Sequence, residues 1–300
     1  MSEIVECVPN FSEGRREDVV SEIVSEITSV DGVTLLGAES DPDHNRSVVT
    51  IVGERGPVGE AAFRGVAAAR ERIDLNGHEG QHKRMGACDV CPFVPVSGVD
   101  LDDCADLARS VGARIGAELE VPVYLYEHAA SRPERQNLAL IRKPQFEGLR
   151  DLIGTGEEHR PDFGPDHVHP TAGITGVGAR FFLIAYNVNL ETDNLALAKS
   201  IAKSIRERDG GFKCVKAMGF ELAERGIVQV SMNLTNYTVT PIRTVFDAIS
   251  EQAGVAGVSV LESELVGLAP RAALDPATAA HVKLEGFDAS KQVIENLLGL

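Results

Sequence analysis

The chain has 300 residues, 43% of them apolar and 25% charged, and a formal net charge of −16 at pH 7. That length is more than one core of ordinary size holds, so two domains or subdomains are expected, and the acidic balance excludes the basic face that nucleic-acid phosphates require. Five cysteines, an odd number in a large chain, point to reduced thiols rather than a disulfide framework. The start, Met1-Ser2-Glu3-Ile4, lacks the apolar run of a signal peptide, and the longest apolar stretch, Phe181 to Tyr186, is far too short to cross a bilayer. A cytoplasmic protein without a membrane partner is expected. Excess acid with little Lys fits a high-salt cytoplasm, where screening removes self-repulsion, and fits equally a GC-rich genome that writes Arg for Lys.

In chain order, Ile4 to Val8 reads as a short strand ended by Pro9, followed by the polar turn Asn10-Phe11-Ser12-Glu13-Gly14. Val19, Val20, Ile23, Val24 and Ile27 recur at helical spacing between Arg16 and Val30, and Gly32 stops that helix. Val33 to Ala38 and Ser47 to Gly53 are strand-like. Between them lies the polar loop Glu39 to Arg46. A helix is expected from Val58 to about Arg72 and a strand from Phe93 to Val96. A third helix is expected from Leu101 to Leu119, burying Cys104, Ala108, Val111 and Ile115, and a strand from Val121 to Tyr126. This order predicts an α/β sandwich on a mixed sheet.

From Arg132 to His169 repeated prolines break the pattern, leaving a long connection with one helix around Phe146 to Ile153. Gly173-Ile174-Thr175-Gly176-Val177-Gly178 precedes a strand rather than opening a helix. It therefore reads as a flexible linker or a ligand-contacting loop, not a dinucleotide loop. Beyond a boundary near Gly178 (1–178 and 179–300) the pattern sharpens. Phe181 to Leu190, a helix Asp193 to Arg208, a hairpin Lys213 to Ala223 with Ile227 to Leu234, a helix Pro241 to Ala253 and a strand Gly257 to Glu262 give β-α-β-β-α-β. That is the ferredoxin-like split βαβ, with a helical tail from Pro270.

The stretch His78 to Pro92 concentrates the chemistry. His78-Glu79-Gly80-Gln81-His82 has the letters of the H-E-x-x-H metalloprotease helix, but Asn76-Gly77 before it and Gly80 within it are poor helix formers. His78, His82, Cys88 and Cys91 form a possible four-ligand zinc set, although five residues between the pairs are fewer than a finger uses. Cys91-Pro92 leads into a strand, not a helix, so Cys88 and Cys91 read as packed core thiols rather than a redox pair.

The segments Val5 to Gly14, Asn45 to Val48, His82 to Ala87 running on through Asp89 to Phe93, Val121 to Tyr126, Pro161 to Pro165, Asn187 to Leu190 and Gln229 to Leu234 resemble, in order, those of the glutamate formimidoyltransferases. The resemblance implies two α/β subdomains with a folate tunnel between them and a homodimer. It also implies transfer of a formimidoyl group from N-formimidoyl-L-glutamate to tetrahydrofolate, a co-substrate, in histidine degradation. The vertebrate members' cyclodeaminase domain is not expected in a chain of this length. By match, His82 is the catalytic histidine, since one imidazole can take the proton of the attacking amine and give one to the departing nitrogen. Glu39, where the family tends to have Asp, is the candidate carboxylate for holding the amidine protonated. Asn10 and Asn45 offer amide groups. Arg46 and Arg84 offer forks for the donor's carboxylates, or alternatively pair with Asp41, Asp43 or Asp89. Gly164, Pro165, His167, His169, Thr171 and Gly173 match the folate-contacting segment, and no metal is implied. Glu79 and Lys83 depart from the family's usual Lys and Pro. They leave room for a related one-carbon transferase using another formyl or formimidoyl donor, beside the further alternatives of a non-catalytic folate binder and a zinc protein.

Overall fold

Pro9 has no N–H to give a ladder, and the first extended stretch divides there. In the computed structural model, which describes residues 3–300, β1 (Ile4–Cys7) and β2 (Asn10–Phe11) lie end to end. The Pro9 carbonyl still accepts from Val49 N–H at 3.0 Å, which keeps the two pieces in one line. α1 (Glu17–Thr28) buries Val19, Ile23 and Ile27, spaced one turn apart. β3 (Val33–Asp41) and β4 (Arg46–Glu54) follow as a hairpin, then α2 (Arg55–Arg72), β5 (Cys88–Ser97), α3 (Leu101–Glu118) and β6 (Val123–Glu127). Asp100 and Asp103 close a capping box at the start of α3, and Cys104, Ala108, Val111 and Ile115 are its buried stripe, as their spacing predicts.

Two helices, α4 (Leu138–Arg142) and α5 (Gln145–Leu152), occupy the connection where the sequence predicts one. Pro144 separates them, because a proline nitrogen cannot donate into a continuing helix. A further difference lies at β7 (Thr175–Ala179), in the stretch read as a linker or loop. It is an interior strand, parallel to β5 on one side and β6 on the other. Its glycines hide it from propensity, yet they are what let it fit. A Cβ on Gly178 would lie 2.7 Å from the Tyr126 ring, and one on Gly176 2.7 Å from Met85 Cε. Tyr126, 1% exposed, lies across the space those missing side chains leave. β5 likewise starts at Cys88, earlier than the expected Phe93.

The resulting sheet runs β3, β4, the β1–β2 line, β5, β7, β6, antiparallel except around β7. The apolar faces of α1, α2 and α3 meet one side of it in a continuous core that includes Val5, Ile23, Ile51, Phe93 and Ile115. Each such side chain removed from water contributes about 1.5–3 kcal/mol.

The chain divides into compact units between Arg180 and Phe181. The second contains β8 (Ile184–Leu190), α6 (Leu195–Ile205), β9 (Val215–Leu222), β10 (Ile227–Leu234), α7 (Ile242–Val255) and β11 (Val260–Val266). Its sheet order β11-β8-β10-β9, antiparallel throughout, is the ferredoxin-like arrangement that the sequence predicts. Short helices α8 (Pro276–His281), α9 (Ala289–Gln292) and α10 (Ile294–Leu297) form the tail. Among the described residues no helix is long and apolar enough to cross a membrane.

Glu6 stands out in the first unit, facing Val52 and Val94 across the ladder and 4% exposed. Burial pushes its carboxyl up from 4.5 to about 7, against the opposing pull of the Arg180 charge. Between those values the folded chain holds a proton that the unfolded chain has released, so stability falls as pH rises through that window, and the cost is complete above it. Glu6→Gln is expected to flatten that slope and to be more stable than the parent at pH 8 by on the order of 2–3 kcal/mol. Urea denaturation midpoints from pH 4.5 to 8 check this. Parallel curves for the two proteins would contradict it.

Candidate active site

The site is organised by one irregularity in a ladder. Asn10 of β2 opposes Val90 and Phe11 opposes Cys88, so Asp89 is an extra residue on β5, a β-bulge. Bulges re-aim a side chain out of the alternating pattern. Asp89 is 0% exposed. Its Oδ1 accepts from Met85 N–H at 2.7 Å, and its Oδ2 is 2.8 Å from Arg142 Nη2 and 3.3 Å from His82 Nε2. A buried carboxylate survives only with such donors.

His82 sits on a loop laid against the β3–β4 turn. Gln81 N–H donates to Asp43 O (3.2 Å) and His82 N–H to His44 O (3.3 Å). A Cβ on Gly80 would come within 2.3 Å of His44 O, so this approach requires glycine. It also explains why the H-E-x-x-H letters do not form a helix. Asn45, in the left-handed region at φ 50°, fixes the turn: its Oδ1 accepts from Gly14 N–H and its Nδ2 donates to Glu79 O, both at 2.9 Å. The amide of Asn45 is therefore committed to the backbone.

His78 is held in one protonation state. Arg84 Nε, which can only donate, meets His78 Nδ1 at 3.1 Å. The proton therefore sits on Nε2, which donates to Asn45 O at 2.9 Å. Burial, aided by the Arg84 charge, lowers the His78 pKa below the usual histidine value. Arg84, 8% exposed, places its remaining donors on Glu147 of α5, at 2.9 and 2.6 Å. The sequence offers Arg84 as a carboxylate fork for the donor; in the structure Glu147 occupies that fork. Glu79 and Lys83 are exposed.

His82 gives its Nε2 side to Asp89, which leaves Nδ1 with the lone pair in the neutral ring. Around this pair the register sets Glu39, Val48 and Asn10 in one row across β3, β4 and β2. Arg46, near the start of that β4 row, donates to Asn10 Oδ1 at 3.3 Å. Burial, and then the like charge of Arg142, pull the Arg46 guanidinium below its ordinary pKa, while Asp41, Asp89 and Glu39 oppose that. Glu39, His82, Arg46, Asn10 and Asp89 thus belong to one neighbourhood. Asp89, Arg142 and Glu147 are the parts that the sequence did not assign. Asp89 appeared there only as a partner for an arginine, Arg142 lies in the proline-broken connection, and Glu147 lies on the helix expected around Phe146 to Ile153 without any motif to mark it.

The folate-matching segment spreads between two anchors. At one end Gly164, at φ 84°, packs where α3 carries Gly116. At the other, Gly173 pairs with Gly86 beside the His82 loop, and Ala87 N–H donates to Ala172 O at 2.8 Å. Between them, His169 exchanges backbone bonds with Gly173, and its Nδ1 accepts from Ala172 N–H at 3.0 Å. Thr171 O accepts from Leu75 N–H at 2.9 Å. Pro165 is half-buried, and His167 is exposed beside Asp166. So the structure brings the Gly173 end to the His82 loop, while Gly164 and Pro165 lie by α3. Two surface clefts beside α1, of about 490 and 370 Å³, are not lined by His82.

The zinc set does not converge. His78 spends both ring nitrogens on Asn45 and Arg84, and Cys88 points its thiol at Val90 O. Among the described residues no three His, Cys, Asp or Glu side chains gather as metal ligands.

Two family models match the chain: the formiminotransferase domain, N-terminal subdomain, over residues 4–180, and the formiminotransferase domain over residues 185–296. The chain belongs to the formiminotransferase family. It is 48% identical over 300 residues to the glutamate formimidoyltransferase of Streptococcus pyogenes serotype M1, covering all of both chains. With the protein of the same name from Thermoplasma acidophilum it shares 49% over 287 residues, 95% of this chain and 94% of that one. The formimidoyltransferase-cyclodeaminase of Rattus norvegicus is 42% identical over 291 residues; the match covers 95% of this chain and 53% of the longer relative.

Burial pushes the Cys7 and Cys88 thiols well above their usual range and Cys104 up to about 12. Iodoacetamide at pH 8 is therefore expected to modify native protein at the half-exposed Cys214 and to spare Cys7, Cys88, Cys91 and Cys104 until denaturant is added. Mass mapping of the adducts checks this. Rapid native labelling of Cys88 would show that the β5 thiols are accessible.

Proposed function

We propose that the chain is a glutamate formimidoyltransferase: it moves the formimidoyl group of N-formimidoyl-L-glutamate to N5 of tetrahydrofolate and releases L-glutamate, a step of histidine degradation. The observation that carries this is the likeness to the Streptococcus and Thermoplasma proteins of that name, which extends over essentially the whole of each chain.

His82 is the general base and then the general acid. N5 attacks the amidine carbon, and as the new C–N bond forms its proton passes to His82 Nδ1. The tetrahedral carbon then carries two nitrogen substituents that can leave as amines. His82 returns the proton to the glutamate nitrogen, whose bond to carbon breaks. Asp89 holds the ring by Nε2 and stabilises the imidazolium between the two transfers, as a buried carboxylate does for a catalytic histidine elsewhere. Glu39, exposed on the edge strand, reaches toward the amidine to keep it cationic and electrophilic. Asn10 orients Arg46, which faces a donor carboxylate, and Asn45 fixes the turn beneath the loop. Arg84 acts by tying that loop to α5. The segment from Gly164 to Gly173 supplies the pterin contacts, its Gly173 end nearest His82. The same reading carries a homodimer in the cytoplasm, for which light scattering of the purified protein is the check on assembly.

The test is transfer itself: both substrates together, then acid, and the absorbance of the methenyl product. His82→Ala is expected to lose more than about 10³-fold in kcat while still binding tetrahydrofolate. Asp89→Asn is expected to lose roughly 10²–10⁴-fold in kcat with a small change in KM, because the amide stabilises the wrong ring tautomer. A fully active His82→Ala enzyme would remove the histidine from this role. A parent enzyme that needs only one of the two substrates would remove the reaction.

A further inference from the structure

Arg142 ends α4, and one of its nitrogens bonds Asp89 at 2.8 Å. Its Nε is buried without a partner, and so is the Nε of Arg46. A guanidinium presents five donors in a fixed fork, and a buried donor left unmade costs the full price of its desolvation. The two forks lie close enough for their charges to oppose each other. Protein carboxylates do not close them. Asp89 is taken up by Met85, His82 and a single Arg142 nitrogen. Asp41 caps its own turn through Asp43 N–H, His44 N–H and the His44 ring. Glu39 is exposed on the edge strand. Two adjacent guanidiniums with unmade inward donors form a receptor for one planar oxyanion.

We propose that Arg46 and Arg142 together bind the α-carboxylate of the amino-acid donor, which makes Arg142 a substrate-binding residue. This rests on the reading of the chain as a formimidoyl transferase. The choice of the α-carboxylate follows from distance. Arg142 and His82 share one oxygen of Asp89, at 2.8 and 3.3 Å, so Arg142 Nη2 and His82 Nε2 are at most about 6 Å apart, and the reacting Nδ1 lies across the same small ring. The departing nitrogen must reach His82, and the α-carboxylate carbon is two bonds from that nitrogen. The side-chain carboxylate hangs further off and falls elsewhere.

Three donors separate the alternatives. N-formimidoyl-L-glutamate has both carboxylates, N-formimidoylglycine keeps the α-carboxylate alone, and N-formimidoyl-4-aminobutyrate keeps only the distal one. Arg142→Gln is expected to raise KM for the first two by roughly 10–100-fold, the worth of a charge-assisted hydrogen bond, with kcat and its pH profile nearly kept. It is expected to leave kcat/KM for the third, already a poor donor with the parent enzyme, within about twofold. Arg142→Lys, which keeps the charge near Asp89 but loses the fork, is expected to fall between, and covers the case in which the glutamine variant folds poorly. An equal loss with all three donors, or a fall in kcat with a displaced pH profile, would place Arg142 on Asp89 alone and overturn the proposal. Calorimetry with L-glutamate stands apart from turnover. A parent protein that binds L-glutamate through Arg142 but transfers nothing would sink the reaction and leave the receptor standing. One that transfers the group and binds L-glutamate as well without Arg142 would do the reverse.

Discussion

A carboxylate with no exposure to water fixes the arrangement of the first unit. Asp89 is turned out of the ladder by a bulge, and a charge moved out of water costs several kcal/mol unless donors replace the solvent. Its donors come from two separate pieces of chain: the loop that carries the Met85 N–H and the His82 ring, and α4 with the guanidinium of Arg142. Satisfying one buried group therefore joins the His82 loop, β5 and the α4 helix of the long connection. The same bonds set which nitrogen of the His82 ring keeps its lone pair, so what keeps the local fold together also orients that ring.

Two ion pairs tie the connection to the loop, and they differ in weight. Glu147 leaves 61% of its side chain exposed, and a pair with so wet a partner contributes at most about 1 kcal/mol. Asp89 with Arg142 is shielded on the carboxylate side; losing the aspartate strands the guanidinium, whereas losing the arginine leaves Asp89 its bonds to Met85 and His82. Arg84 matters through what surrounds its own 8%-exposed guanidinium: it fixes the His78 tautomer and lies 5.9 Å from the centre of the Phe146 ring. The loop is thus held by a network of oriented donors rather than by apolar packing.

Where side-chain pattern carries the information, the sequence is easy to read. The stripes of α1 and α3 and the whole β-α-β-β-α-β order of the second unit follow from periodicity and turn residues. β7 does not, because its alternate glycines serve the Tyr126 ring on the neighbouring strand, a fact of tertiary packing that a strand propensity counts as a defect. The site divides in the same way. His82, Arg46, Asn10 and Glu39 are singled out by motif and chemistry, and the structure sets the last three on adjoining strands with His82 on the loop beside Asp89. Arg142 is not singled out, because what marks it is a contact across more than fifty residues with a bulged aspartate, and neither bulge nor contact leaves a local mark. Arg84 shows the converse limit: an arginine beside a catalytic histidine has the right chemistry for a substrate fork, but only the fold shows Glu147 already in it.

The overall charge of −16 looks at odds with a reaction between two anionic substrates, since a formimidoyl amino diacid and a folate both carry carboxylates. The conflict is one of range. Surface charges repel an approaching anion over a Debye length, about 8 Å at physiological salt and shorter above it, whereas a guanidinium inside a partly buried site acts at contact and is screened far less. Salt therefore weakens the repulsion sooner than it weakens the binding. The sparsity of lysine fits the same division of labour: compact, strongly hydrated ammonium groups are poor partners in dry sites, while arginine keeps its charge and its fork when half buried. In this chain the inward-set cations are arginines with separate partners, Arg46 on Asn10, Arg84 on His78 and Glu147, and Arg142 on Asp89, and the acidic exterior leaves that interior arrangement intact.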